Sequence, residues 1–242
     1  SYTTTAFDVQ PELPYSSLFP ILPIDIARRL SYSLSNPNTE KPGVNRLALL
    51  FIPSRRKIVM NPTGILKEEH QLVLLMLKIM EAVCKKLDLG QAVKTEDLDA
   101  IIDFIRGFAD KCHHAKEEKL LFPALEKAGM PQNDGPIAVM LREHALGRGF
   151  AKSMEEAIGR MKNGNASAAG TFVEKARGYI QLLRNHIDKE DHVLFMMADQ
   201  RLNPAAQKEL LEGFDRVERE ETGEGVHEKY HALLHRMRDT YL

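Results

Sequence analysis

A short phrase of charged and apolar residues occurs twice in this chain. Residues 113–122 read HHAKEEKLLF and residues 186–195 read HIDKEDHVLF, so both fit His-x-x-Lys-Glu with a Leu-Phe pair at the same offset. In a helix, residues i and i+4 lie one above the other on one face. Each copy therefore predicts an imidazole and a carboxylate that point at the same spot. Two copies on two packed helices would bring four metal-ligand side chains together, which is the beginning of a dinuclear metal site.

The spacing of apolar residues predicts helices from Pro62 onward. Four of them are long, and short loops marked by glycine and proline join them; they are expected over 65–87, 95–127, 134–162 and 166–198. Long helices with short connections predict an all-α protein built as an up-down-up-down four-helix bundle. Two further helical segments follow, one opened by Asn203-Pro204 and one over 226–241.

The composition changes along the chain and predicts three parts. Residues 1–60 carry seven of the 12 prolines and no clear helical pattern, so they predict an irregular N-terminal arm. One hypothesis places an ancestral translation start at Met60, with the arm as an upstream extension. Residues 61–202 are expected to form the bundle, and residues 203–242 a C-terminal helical extension that packs on it.

Charge and cysteine usage narrow the setting in which this protein acts. The net charge of −1 argues against nucleic acid or an anionic membrane as a partner. The apolar runs are too short to span a bilayer, and the N-terminus lacks the layout of a secretory signal. Cys84 and Cys112 form no C-x-x-C pair, which favours a reducing compartment. We expect a soluble cytoplasmic protein.

Each of the four long helices carries a histidine inside its apolar stripe. Burying these imidazoles with two carboxylates would cost several kcal/mol per charge without a cation. Imidazole and carboxylate ligands without thiolate leave iron, manganese and zinc as the candidate metals. The predicted ligands are His70, His113, Glu117, His144, His186 and Glu190.

The order of these residues resembles the hemerythrin-like, or HHE cation-binding, family. The Lys-Glu-Glu before Phe122-Pro123 and the Arg-Glu-His at 142–144 are also similar to that family, and the resemblance covers about 62–202. It implies a non-haem centre of two iron ions bridged by Glu117 and Glu190. The four histidines would then be the terminal nitrogen ligands.

Two positions leave alternatives open. His114 with Glu118 is an equally valid i+4 pair, and Asp191 matches the His-x4-Asp spacing of the oxygen-carrying hemerythrins. Identical spacing of the two copies favours His113, Glu117 and Glu190. The oxygen carriers also place a second histidine four residues after the third-helix histidine, where this chain has Arg148. That departure puts reversible oxygen carriage in doubt, and leaves the site more open or completed from elsewhere.

The last helix offers a candidate for that completion. His227, His231 and His235 are spaced i, i+4 and i+8, so they form one stripe. One reading is that His231 or His227 reaches the open coordination position. The other reading is a solvated or interfacial helix in which the histidines are incidental.

Three functions are compatible with such a centre. The favoured one is a binding or sensing protein that takes O2, NO or peroxide, or handles iron under oxidative or nitrosative stress. An enzyme, namely a di-iron oxidase, peroxidase or NO reductase, is the first alternative. The second is an iron-dependent interaction module, in which metal occupancy orders the helices that a protein partner contacts.

Overall fold

The computed structural model describes residues 61–223 and 225–242 of the 242-residue chain. Every regular element in these ranges is helical, which confirms the all-α prediction. The predicted arm over 1–60 lies outside the described residues. The α-helices are α1 Pro62–Asp88, α2 Thr95–Phe104, α3 Phe122–Lys127, α4 Pro136–Lys162, α5 Ala168–Lys189, α6 Phe195–Arg201, α7 Pro204–Arg216 and α8 Val226–Tyr241. Four π-helical segments continue some of them: π1 Ile105–His114, π2 Glu117–Leu121, π3 Glu190–Leu194 and π4 Val217–Thr222.

Side-chain caps and glycines set the helix ends. Asn61 accepts a hydrogen bond from the Gly64 backbone N–H and begins α1, and Asn203 caps α7 in the same way. In both cases a proline occupies the first turn, where no N–H is required. Gly90 follows the end of α1 with a φ of +67°, a conformation that residues with a Cβ rarely adopt.

The four long helical stretches contact one another in chain order. Helix α1 contacts π1, α2 and π1 contact α4, α4 contacts α5, and α5 returns to α1. These are the neighbours that a four-helix bundle has; the up-down-up-down direction stays a prediction. Helix α8 packs on α1 and α2, while α7 contacts α1 and π2. The domain boundary at residue 202 also stays a prediction.

Two apolar clusters make up the described core. The larger contains Val73, Leu77 and Leu183, and the smaller contains Leu66 and Leu194. The chain passes from one cluster to the other near each of the predicted metal-ligand histidines, so these histidines lie where the clusters meet. Among the residues described, no helix combines the length and apolar character that a membrane span needs.

Helix α8 fits closely against π1 because Gly107 lacks a side chain. The buried Tyr230 of α8 donates a hydrogen bond from its hydroxyl to the Asp103 carbonyl, at 3.1 Å. A Cβ at Gly107 would lie 1.7 Å from the Tyr230 hydroxyl oxygen and 2.7 Å from its Cζ. The tyrosine ring therefore occupies the space that any larger residue at position 107 would need.

We predict that Gly107→Ala destabilises the protein. Overpacking of this kind costs about 1–3 kcal/mol in the free energy of unfolding, because the Tyr230 ring must move. Gly149→Ala is the matched control, since a Cβ there meets nothing within 4 Å outside its own helix. That variant should gain about 0.5–1 kcal/mol from helix propensity. Denaturant unfolding of both variants measures the difference, and equal stabilities would contradict the close fit.

Candidate metal centre

Seven buried side chains with metal-ligand chemistry lie together where the two apolar clusters meet. They form two groups, and within each group one potential ligand atom of every residue lies within 4.8 Å of the others. Glu117 belongs to both groups. We call these residues the polar layer: one group is His114, Glu117, His144 and His186, and the other is His70, His113, Glu117 and Glu190.

Each central carboxylate lies between histidines of two different helices. The Glu117 oxygens lie 3.6 Å from His113 Nε2 and 3.4 Å from His144 Nε2. One Glu190 oxygen, Oε2, lies 3.2 Å from the Nε2 atoms of both His70 and His186. The two glutamates therefore occupy equivalent places, each beside the histidine of its own phrase and a histidine from another helix.

Five of the central polar atoms lack hydrogen-bond partners within the described residues. Both carboxylate oxygens of Glu117 and of Glu190 are buried and unpartnered, and so is His70 Nε2. The Nε2 atoms of His144 and His186 face each other at 3.1 Å. Buried carboxylates without donors are costly, and bound cations remove that cost. The donor set of imidazoles and carboxylates fits first-row divalent metals.

All five histidines of the polar layer direct Nδ1 outward to a carboxylate. Such outer partners fix the ring orientation of a metal-ligating histidine and leave Nε2 available to the metal. The five contacts are His70–Asp191 at 2.8 Å, His113–Glu69 at 2.8 Å, His114–Asp110 at 3.4 Å, His144–Glu118 at 2.7 Å and His186–Glu143 at 3.0 Å.

The first copy of the phrase contributes both inward ligand candidates and outer partners to this centre. His113 and Glu117 face inward, and Lys116 donates a hydrogen bond to Glu69, the partner of His113. Glu118 accepts a hydrogen bond from His144. The Lys116 ammonium is fully buried and also contacts Glu218 of π4 at 2.7 Å.

The second copy repeats these roles with residues from the other helices. Lys189 donates to Glu143, the partner of His186, and Asp191 accepts from His70. The aromatic residue of each phrase also has an equivalent place. Phe122 stacks against His144 and Phe195 against His70, with interplanar angles of 19° and 10°. The repeat in the sequence is therefore a repeat in the structure.

A π-helical segment brings two adjacent histidines to the polar layer. In an α-helix, neighbouring residues point about 100° apart, so only one of His113 and His114 would face the layer. Segment π1 ends at His114, and its i→i+5 hydrogen bonds place more residues in each turn than an α-helix has. Both rings are buried in the layer. Glu117 and Glu190 likewise begin the π segments π2 and π3.

The structure places the alternative ligand candidates in three different environments. His114 joins the polar layer together with His113, so it adds a ligand candidate and replaces none. Glu118 and Asp191 are outer partners, and neither belongs to the two ligand groups. His227 and His231 also lie outside both groups; the His227 ring packs against Phe108 with a centroid distance of 5.5 Å.

The sequence interpretation missed three outer carboxylates. Glu69 and Glu143 each directly precede a predicted metal ligand, so the repeated Glu-His pair was a readable signal. Asp110 carries no such signal. Arg148 stands at the position where the oxygen carriers have a second histidine. It donates hydrogen bonds to both Asp110 and Glu118 at 2.7 Å. One guanidinium therefore holds the outer partners of His114 and His144.

Neighbouring charges and hydrogen bonds shift the pKa values of several groups in and around the polar layer. Burial alone would raise the pKa of Glu69, but its hydrogen bond with His113 and the Lys116 charge outweigh burial and lower the pKa to about 2. Burial would lower the pKa of His70, yet Asp191 and Glu190 raise it to about 9. Cation binding releases such a proton, because a ligating imidazole is neutral. Burial, reinforced by His144, lowers the pKa of His114 well below its usual value.

Comparison with known proteins agrees with this geometry. The family model described as hemerythrin HHE cation binding domain matches residues 61–198. Uncharacterized proteins from Mycobacterium bovis and Mycobacterium tuberculosis are each 23% identical to this chain over 172 residues. The alignments cover 71% of this chain and 66%, just under two thirds, of each relative. No solved structure matches.

We predict that Arg148→Gln weakens cation binding. Without the guanidinium, Asp110 and Glu118 are no longer held against His114 and His144, and the loss of such outer partners costs about 10–100-fold in metal affinity. Arg106→Gln is the matched control, because Arg106 pairs with Glu155 across the same two helical stretches at 2.5 Å but contacts no outer carboxylate of the layer. Competition titration with a ferrous chelator measures both, and equal affinities would contradict the role of Arg148.

Proposed function

This chain belongs to the hemerythrin HHE cation-binding domain family, and on that premise we propose that its polar layer holds two iron ions and binds a small ligand. The ligand would be O2, NO or peroxide, which the protein senses or stores, or meets while handling iron under oxidative or nitrosative stress. The observation that carries this proposal is the set of four buried carboxylate oxygens without hydrogen-bond donors, surrounded by five imidazoles.

The two ligand groups support a dinuclear assignment. Glu117 belongs to both groups, which is the place of a bridging carboxylate. Glu190 lies between His70 of one group and His186 of the other, so it is the second candidate for a bridge. One ion would then be held by His70 and His113, and the other by His114, His144 and His186.

The donor atoms and the family together favour iron. The donors are imidazole nitrogens and carboxylate oxygens, and the buried cysteines Cys84 and Cys112 belong to neither group. Manganese and zinc accept the same donors, so the choice of iron depends on the family. We also propose a cytoplasmic setting, because the two buried cysteines form no disulfide, which suits a reducing compartment.

The residues of this chain orient and insulate the site. Bound iron would supply ligand coordination and electron transfer. The outer carboxylates hold the imidazoles in place, and the stacked rings of Phe122 and Phe195 cover His144 and His70 from the side of the smaller apolar cluster. Lys116 and Arg148 balance the outer carboxylates, so their negative charges do not oppose one another.

A di-iron oxidoreductase is the second candidate function. It is favoured by a cavity of about 300 Å³ that His114 helps to line, because an enzyme must admit its substrate to the metal. Iron-loaded protein distinguishes the two. Steady consumption of peroxide or NO with added reductant would support the enzyme, whereas a stable, reversible spectral change without turnover would support binding or sensing.

We predict two irons per chain in protein purified from its own host, with Glu117→Ala losing both ions and His70→Ala keeping one. A carboxylate shared by both groups serves two ions, whereas His70 serves one. Elemental analysis and absorption spectra measure the loss, and circular dichroism checks that the variants keep their helices.

Glu68→Ala is the control, because Glu68 is exposed beside the buried Glu69 and belongs to neither ligand group. It should retain both ions. Fewer than one metal per chain in the unmodified protein would overturn the dinuclear proposal. Loss of a single ion in Glu117→Ala would show that the bridge is assigned to the wrong residue.

A further inference from the structure

The two phrases and the two Glu-His pairs divide the polar layer and its outer partners into two halves, and these halves are equivalent except on one side. Aligning the two phrases, and the two Glu-His pairs, superimposes the inward glutamates, four of the five histidines with their outer partners, the two lysines and the two stacked phenylalanines. Three polar residues have no polar counterpart under this alignment, and all three lie around the fifth histidine. His114, Asp110 and Arg148 correspond to Ile187, Leu183 and Leu74.

A cavity of about 300 Å³ lies on this side. His114, Asp110 and Arg148 contribute to its lining, together with the small residues Gly147 and Ala151. The counterparts of these two small residues are Val73 and Leu77, which are buried in the larger apolar cluster. Small residues thus leave open on one side the space that branched side chains fill on the other.

His114 also makes the longest Nδ1 contact among the histidines of the polar layer. Its Nδ1 lies 3.4 Å from Asp110, whereas the other four histidines lie 2.7 to 3.0 Å from their carboxylates. A contact of 3.4 Å is a weak hydrogen bond.

The other group contributes no residue to the lining of this cavity. The His70 ring stacks against Phe195, and the His113 partner Glu69 is held by the fully buried Lys116. Two further cavities of the described residues, one beside α7 and one beside the start of α4, have none of the seven polar-layer residues in their lining.

From these observations we propose that small uncharged ligands reach the centre through the cavity beside His114 and bind at the position that His114 shares with His144 and His186. This inference rests on the proposed function. The ligand class follows from the lining: Arg148 is already paired with Asp110, and Arg106 with Glu155. The remaining cation, Lys152, has an exposed side chain. The cavity therefore offers no unpaired buried charge that would select an ion, and it suits diatomic molecules and peroxide.

Exogenous imidazole tests this route in alanine variants of the two adjacent histidines, His113 and His114. His114→Ala should lower the iron content or shift the absorption spectrum of the loaded protein, and added imidazole should restore both, because it can enter the cavity. His113→Ala should lose iron and regain nothing, since His113 lines none of the three cavities. Failure of imidazole to restore His114→Ala, or equal restoration of both variants, would overturn the proposal.

A second variant gives an independent test in protein that keeps every candidate ligand. Ala151→Leu installs the residue found in the other half and narrows the cavity. The association of NO with the iron-loaded Ala151→Leu protein should slow on the order of tenfold at unchanged iron content. NO would enter only after the His114 ring and its neighbours have moved.

Ala206→Leu is the control, since Ala206 lines the cavity beside α7 and should leave the NO association rate unchanged. An unchanged NO association rate in iron-loaded Ala151→Leu would overturn the proposed route while leaving the metal centre intact. An unmodified protein that takes up no iron would instead overturn the proposed function itself, so the two failures are distinguishable.

Discussion

Four carboxylate oxygens buried among imidazoles, with no hydrogen-bond donor of their own, set the conditions for the surrounding structure. Burying carboxylates without donors is costly unless cations lie beside them. The histidines around them then need acceptors at Nδ1, and ionised carboxylates meet that need. These carboxylates in turn need counter-charges, which Lys116, Lys189 and Arg148 provide. Positive and negative groups therefore alternate outward from the centre, and each set of groups stabilises the burial of the set inside it.

One phrase builds most of this arrangement because its positions divide between inside and outside. Its first residue is an inward imidazole, and its fifth an inward carboxylate. The lysine and the acid on either side of that carboxylate bond to the Glu-His pairs of other helices, as Lys116 and Glu118 do. The helices are therefore joined across the polar layer by ion pairs, in addition to the apolar clusters on both sides. The buried contact between Lys116 and Glu218 extends this network to π4, beyond the residues that the family model matches.

The sequence predicted the helices and the six principal ligand candidates, because apolar periodicity, proline, glycine and the i+4 rule are local signals. It favoured His113 over the alternative His114 on the identical spacing of the two copies, and it did not foresee that both rings face the polar layer. The π segment that brings both rings to the layer leaves no such local signal. Asp110 and Arg148 act through contacts between distant helices, which spacing along one helix does not reveal. His231 and His227 were candidates for the open position, and the structure places them outside both ligand groups.

The surroundings of His114 differ from the other half of the centre because Arg148 replaces the second histidine of the oxygen carriers. A histidine at position 148 would have come from α4, whereas His114 comes from π1 and approaches the same group from a different helix. Arg148 cannot bind a cation, but its charge holds the outer carboxylates of His114 and of the neighbouring ligand His144. The small residues Gly147 and Ala151 then leave the cavity beside this rearranged ligand. On the proposed function, the departure from the oxygen carriers thus lies on the side where a ligand would reach the centre, and the symmetric remainder would hold the metals in place.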